Sequence, residues 1–191
     1  MSRSRLEAFS DGVIAILITI MVLELKVPHG ADRDALRPLL PVFLTYVLSF
    51  VYLGIYWNNH HHMFHAVERV NGAVLWANQH LLFWLSLIPF ATGWMGENHF
   101  APFPTALYGA VLLLAAIAYI ILQNTIMANR CASSELAAAI GSDVKGKLSL
   151  AAYATAIPLA FVNQWISDAL YVLVALMWIV PDRRIESRFD R

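Results

Sequence analysis

Apolar residues run through this chain in six stretches separated by short polar segments. The first covers 6–25, and its uninterrupted part is Gly12 to Leu23. The second covers 39–60, is free of charge, and has Pro41 in its first turn, where a missing N–H is tolerated. The third, 73–96, carries Asn78, Gln79 and His80 near its start and Pro89 inside. The fourth covers 104–127. Each of these four is close to the roughly 20 apolar residues that a bilayer-crossing helix needs. The last run, Leu148 to Val180, has 33 residues. As one helix it would reach about 50 Å, too long for one crossing of a ~30 Å hydrocarbon core. Asn163-Gln164-Trp165 interrupts it. The pattern therefore predicts two short spans, 148–162 and 166–181, with a single re-entrant segment as the alternative.

Composition supports the membrane reading. The chain has 191 residues, of which 59% are hydrophobic and 14% charged. A soluble domain of this size carries far more charge. The fold class expected is an all-α integral membrane protein, one domain over 1–191 with six transmembrane helices. Charge then orients it. With six spans and the amino terminus inside, ten basic residues face inward: Arg3, Arg5, Arg69, Arg130, Lys145, Lys147, Arg183, Arg184, Arg188 and Arg191. Three, Lys26, Arg33 and Arg37, face outward. Cytoplasmic loops are enriched in Lys and Arg, so both termini are placed in the cytoplasm and the protein in the cell (inner) membrane. Five spans would put the basic tail outside. Trp57, Trp84, Trp94, Trp165 and Trp178 fall mostly near span ends, as in an aromatic belt. A net charge of zero gives no basis for a nucleic-acid partner. The single cysteine, Cys131, excludes an internal disulfide framework and a Cys-based zinc site. The sequence Glu24-Leu25-Lys26 stands where a cleavable signal peptide would need small residues.

The first span differs from the others. It opens on a polar heptad, Arg5-Leu6-Glu7-Ala8-Phe9-Ser10-Asp11, with no turn residue before the apolar helix. Charged groups at that depth are costly and persist when they pair or line water. Ala8, Gly12, Ala15 and Thr19 form a small-residue seam that permits close helix approach. Beside it runs a stripe of Phe9, Ile16, Thr19 or Ile20, and Leu23. Copies of this helix packed around an axis would turn the stripe inward. Rings of Ile and Leu close a pore by dewetting it, and Thr hydroxyls can contact an ion. Ordinary packing against lipid or the bundle is the competing explanation of the same periodicity. A six-span unit is too small to enclose a wet axis alone, so a pore would require a symmetric oligomer.

Three segments together resemble a known family. Arg5-x-x-x-Phe9-Ser10-Asp11 followed by Gly12-Val-Ile-Ala-Ile-Leu-Ile-Thr19 resembles the signature of the TMEM175 family of potassium channels. Trp57-Asn-Asn-His60-His-His-Met-Phe64 is similar to its Trp-x-x-His-x-x-x-Phe pattern, and Pro89-Phe90-Ala91-Thr92 to its Pro-Phe segment. The resemblance implies a cation channel of the prokaryotic type, with one six-helix unit per chain assembled as a homotetramer in the lipid bilayer. It implies a pore lined by the first helix, with Ile16, Thr19 and Leu23 as the constriction and ion pathway. It implies that Arg5, Phe9, Ser10 and Asp11, with His60, form a cytoplasmic-side network holding the pore helices. The permeant species would be potassium and other monovalent cations, with no cofactor. The chain has no Thr-Val-Gly-Tyr-Gly-like carbonyl filter, so selectivity would rest on side-chain rings and be modest.

Other polar residues support rival readings. His61 and His65 lie at i and i+4, a spacing that can bind a divalent metal, with Glu68 as the nearest carboxylate. A His-dependent membrane metalloenzyme and a proton-coupled transporter are the alternatives. Unperturbed histidine titrates near pH 6.5, so His60 is also a candidate pH sensor. The sequence shows no inverted repeat, HExxH motif, phosphate-binding glycine loop or Ser-His-Asp arrangement. Asn78, Gln79 and His80 read as groups hydrogen-bonded within the bundle. Glu24 could draw cations to the outer mouth. Asp168 suits the amino-terminal end of the last span.

Overall fold

A computed structural model describes residues 2–65, 67, 69–128 and 144–179. Arg130, Cys131, Glu68, the basic carboxyl-terminal tail and the side chain of His65 lie outside the described residues.

Helix α1, Arg3–Leu23, is apolar except at its first turns. A short 3-10 helix, Arg33–Leu39, is capped by the Asp32 carboxylate, which accepts from the Ala35 N–H at 3.0 Å. It leads into α2, Leu40–His65. The third apolar run is two helices, α3 at Gly72–Ser86 and α4 at Ile88–Glu97. Pro89 accounts for the break. It lies in the first turn of α4, where the absent N–H is harmless, and it would clash inside a continuous helix. Asn71 caps α3 through its side chain, accepting from the Val74 N–H at 2.9 Å. Helix α5 spans Pro102–Ala128.

The last element, α6, covers Val144–Ile179 and is folded back on itself at Asn163, whose φ of −159° and ψ of 106° are non-helical. The Asn163 side chain accepts from the Trp165 N–H at 3.1 Å and so caps the second arm. Three contacts show that the arms run antiparallel. Trp178 Nε1 donates to Ser149 Oγ at 2.9 Å, the Tyr153 and Tyr171 rings lie 6.3 Å apart, and Ser167 Oγ donates to the Ala156 carbonyl at 2.7 Å. Among the described residues, five helical stretches are long and apolar enough to cross a membrane, counting α3 with α4 and the whole of α6 as one each.

The core is apolar with a hydroxyl seam. Leu53, Leu81, Leu85, Ile88, Leu112 and Leu122 are fully buried. So are Tyr52, Tyr108 and Tyr171, whose hydroxyls are satisfied internally. Tyr52 donates to the Tyr171 carbonyl at 2.6 Å, Tyr171 to the Thr105 carbonyl at 3.1 Å, and Tyr108 shares a 2.9 Å bond with Ser49. In lipid, polar groups must find partners inside the protein, and this seam supplies them. Two glycines make the close packing feasible. A Cβ on Gly96 would stand 2.7 Å from the Val42 backbone, and one on Gly109 would collide with the Tyr171 hydroxyl.

Candidate functional site: the first helix and its brace

Helix α1 has two faces. Leu6, Ser10, Ile14, Leu17 and Met21 are buried, at spacings of four, four, three and four. They anchor the helix against α2, α3 and α4. The opposite face is bare. Arg5, Phe9, Gly12, Ile16, Thr19 and Leu23 are all exposed, Ile16 by 57% and Leu23 by 78%. At about 100° per residue, Thr19 and Gly12 stand most nearly opposite the buried side chains, with Arg5, Leu23 and Ile16 beside them. Ile20 lies at the edge of the face; both it and Thr19 are exposed. Nothing lies within 4 Å of where a Gly12 Cβ would be. The Thr19 hydroxyl is within bonding distance of the Ile16 and Ala15 carbonyls, at 2.9 and 3.1 Å. With its proton used there, its oxygen lone pairs remain available as acceptors.

The buried face carries a polar brace. Ser10 Oγ donates to the Leu6 carbonyl at 2.9 Å and accepts from Asn78 Nδ2 at 3.0 Å. Asn78 Oδ1 is 2.8 Å from His60 Nε2. Because the Asn78 amide already donates to Ser10, its oxygen is the acceptor here, and His60 carries its proton on Nε2. The three side chains come from α1, α3 and α2, and each is fully buried. The His60 ring stacks on Phe64 with centroids 4.4 Å apart. A second layer lies nearer the surface. Asp11 Oδ1 accepts from Trp57 Nε1 at 3.0 Å, and Glu7 is 3.0 Å from His61 Nδ1. The start of α1 is tied by Arg3 Nη1 donating to the Val67 carbonyl at 3.4 Å. Its far end is tied by Lys26, whose ammonium is 2.9 Å from Glu97 at the end of α4. That bond raises the Lys26 pKa, although both side chains are exposed.

Of the residues marked from sequence, Ser10, Asp11 and His60 meet neighbouring helices through these bonds. Arg5 and Phe9 lie elsewhere, on the exposed face with Ile16, Thr19 and Leu23. Asn78, Trp57, Glu7 and His61 complete the brace and were not among the marked site residues. Their signals were present: Asn78 is an amide within an apolar span, and Trp57, His60 and His61 recur at helical spacing. His80 accepts from Trp84 Nε1 at 2.8 Å, one turn along the same helix. Among the described residues, no three His, Cys, Asp or Glu side chains are placed to hold a metal ion. Both Asp168 carboxylate oxygens are buried with no hydrogen-bond partner among the described residues.

The sequence profile of the family described as "Endosomal/lysosomal potassium channel TMEM175" matches residues 5–89, the segment from α1 through the start of α4. Over 187 residues the chain is 55% identical to a potassium channel of Chryseobacterium sp. (strain P1-3), covering 98% of this chain and 97% of that one. The chain belongs to the TMEM175 family. A second relative, a potassium channel of Chamaesiphon minutus, is 30% identical over 190 residues, covering 90% of this chain and 91% of that one. The fold agrees with a crystal structure described as a lysosomal potassium-selective channel TMEM175 homolog from the same organism. That match has a TM-score of 0.78 at 28% identity, over 93% of this chain and 96% of that one. This TMEM175 family member is therefore an all-α, multi-pass membrane protein of a channel family and not an enzyme.

Proposed function

We propose that this protein is a potassium-permeable cation channel in which four copies surround a central pathway lined by α1. The observation that carries this is the asymmetry of α1. One face is fixed by buried side chains from three helices, while the other, Arg5 to Leu23, is uncovered in a single copy. Gly12, Ala15 and Thr19 on that face let backbones approach closely. In a symmetric ring, Ile16 and Leu23 form apolar collars that close the path by dewetting, and Thr19 oxygens face the ion between them. With no charged residue among these three, discrimination rests on ring diameter and hydration. The number four and the identity of the ion come from the family; the uncovered face comes from this chain.

The same reading takes α6 as two crossings. Its arms contain 19 and 16 residues, reaching about 28 and 24 Å at 1.5 Å per residue. That makes six crossings, with both termini cytoplasmic in the cell membrane, as the basic residues require. The test is potassium flux into liposomes containing purified protein, with sodium as the comparison ion. Ile16→Asn wets the narrow ring and should raise flux while reducing the potassium-to-sodium ratio. Unchanged flux and ratio in that variant would remove Ile16 from the pathway. No flux of either ion through folded, inserted protein would sink the channel reading itself.

A further inference from the structure

Helices α2 and α3 each carry a face that their own copy leaves uncovered. On α2, Val47, Gly54 and Asn58 fall on one line, because seven and four residues are close to whole turns of an α-helix. Val47 and Asn58 are exposed, and nothing lies within 4 Å of where a Gly54 Cβ would be. Gly54 is therefore a notch in that face. On α3, Gln79, His80 and Phe83 are exposed, Phe83 by 55%. Within one copy the two faces do not meet. Helices α2 and α3 touch through the His60–Asn78 bond. Asn58 is two residues from His60 and Phe83 is five from Asn78, and at about 100° per residue both point away from that contact.

Three polar groups on these faces lack partners. No hydrogen bond joins the Asn58 or Gln79 amide to a described residue. His80 accepts from Trp84 through Nε2, so its proton is on Nδ1, and that N–H has no partner among the described residues. The groups lie at membrane depth. Helix α2 has 26 residues and reaches about 39 Å, so each end overhangs a ~30 Å hydrocarbon core by about 5 Å. Asn58, seven residues before the end at His65, is then about 6 Å inside that core. Acyl chains offer no hydrogen bonds there, so these faces call for protein against them.

Their heights match. The His60–Asn78 bond sets the level of α2 against α3. Counted from it along each helix, Asn58 and Gln79 differ in height by about 1.5 Å, and so do Gly54 and Phe83. Rotation about an axis normal to the membrane leaves height unchanged, so the same pairs are level between neighbouring copies. An amide stands opposite an amide, and an exposed ring opposite a notch.

We propose that the α2 face of one copy docks on the α3 face of the next, head to tail, with the Asn58 amide bonded to Gln79 and the Phe83 ring seated at Gly54. The proposal rests on the reading of α1 as the lining of a symmetric ring, and it names the contact that closes the ring. Because the two surfaces differ, each copy uses one of each and none is left over on closure.

The test is disulfide trapping of the full-length protein in liposomes. In a Cys131→Ser background, Asn58→Cys and Gln79→Cys in one chain place a thiol on each side of the contact. Helices packed about 8–10 Å apart bring facing Cα atoms within disulfide reach. Oxidation should give a ladder of linked chains ending at four, and either cysteine alone should give no cross-link. Linked pairs from Gln79→Cys alone would show two α3 faces meeting about a two-fold axis and would overturn the head-to-tail contact. So would the absence of a ladder from the double variant when the Val47→Cys, Phe90→Cys pair, level by the same count and with both amides intact, gives none either. Potassium flux through the same liposomes before oxidation separates the two readings. Flux without a ladder removes this contact and leaves the channel; neither flux nor ladder from inserted protein removes both. Gly54→Phe has room in a single copy, and should lower the cross-linked yield about tenfold by overpacking against the neighbour's ring. Phe83→Ala should restore it. A yield that Gly54→Phe leaves unchanged overturns the seating of Phe83 at Gly54.

Discussion

The brace between Ser10, Asn78 and His60 can be tested by removing its middle member. Asn78→Ala takes away the acceptor for His60 Nε2 and the donor to Ser10 Oγ. Ser10 tolerates the loss, because its own proton still goes to the Leu6 carbonyl. His60 does not. Its Nδ1 already has no hydrogen-bond partner among the described residues, so both ring nitrogens would be buried and unpaired there, in a side chain with no exposure. An unsatisfied buried donor costs about 1–3 kcal/mol in general. Interhelical bonds in a membrane average about 0.6 and reach about 1.7 kcal/mol, because unfolded helices in lipid also find partners. With the space left by the lost amide, Asn78→Ala should cost about 2 kcal/mol. The assay is a double-mutant cycle with His60→Phe, read from reversible unfolding in mixed micelles. His60→Phe keeps a ring against Phe64 and removes the nitrogens. In that background Asn78→Ala should cost about 1 kcal/mol less, since no imidazole remains to be stranded. If Asn78→Ala costs the same in both backgrounds, His60 and Asn78 are not coupled and the brace is merely adjacent packing.

Other outcomes follow from the same geometry. Gly96→Ala places a methyl against the Val42 backbone, which cannot move as a side-chain tip can. It should destabilise the α2–α4 contact by about 1–3 kcal/mol in the same unfolding assay; Gly93→Ala, with nothing within 4 Å, is the control. Asp168→Asn removes the possibility of a buried, unpartnered charge and should leave stability equal or higher by about 1 kcal/mol. A clear loss would mean that the carboxylate gains a partner in the assembled protein. The Lys26–Glu97 pair raises the lysine pKa above 10.5, so what it contributes is complete below the unfolded value and disappears as pH rises through the folded one. Melting of wild type and Lys26→Met should therefore run parallel across neutral pH. A difference between them that appears near pH 7 would assign the pair a role that its exposure does not support.

Much of the molecule was readable along the chain. Unbroken apolar length specifies a membrane helix because the backbone must satisfy itself in lipid. Periodicity within α1 placed Ile16 and Leu23, with Thr19 or Ile20, on one stripe, and Asn163 marked the fold of α6. Other features depended on residues far apart in sequence. The split at Leu87 arises because Pro89 fits a helix start better than a helix interior, and sequence periodicity continues across it. Asn78 and Ser10 are 68 positions apart, and hydropathy does not indicate which amide meets which hydroxyl. Arg5 and Phe9 share a motif with Ser10 and Asp11, yet helical geometry sends them outward while Ser10 turns inward. Local sequence determined that α1 has two faces, because a helix repeats every 3.6 residues. Only the packing of α2, α3 and α4 decided which face is held and which is left bare, because burial is a property of the neighbours.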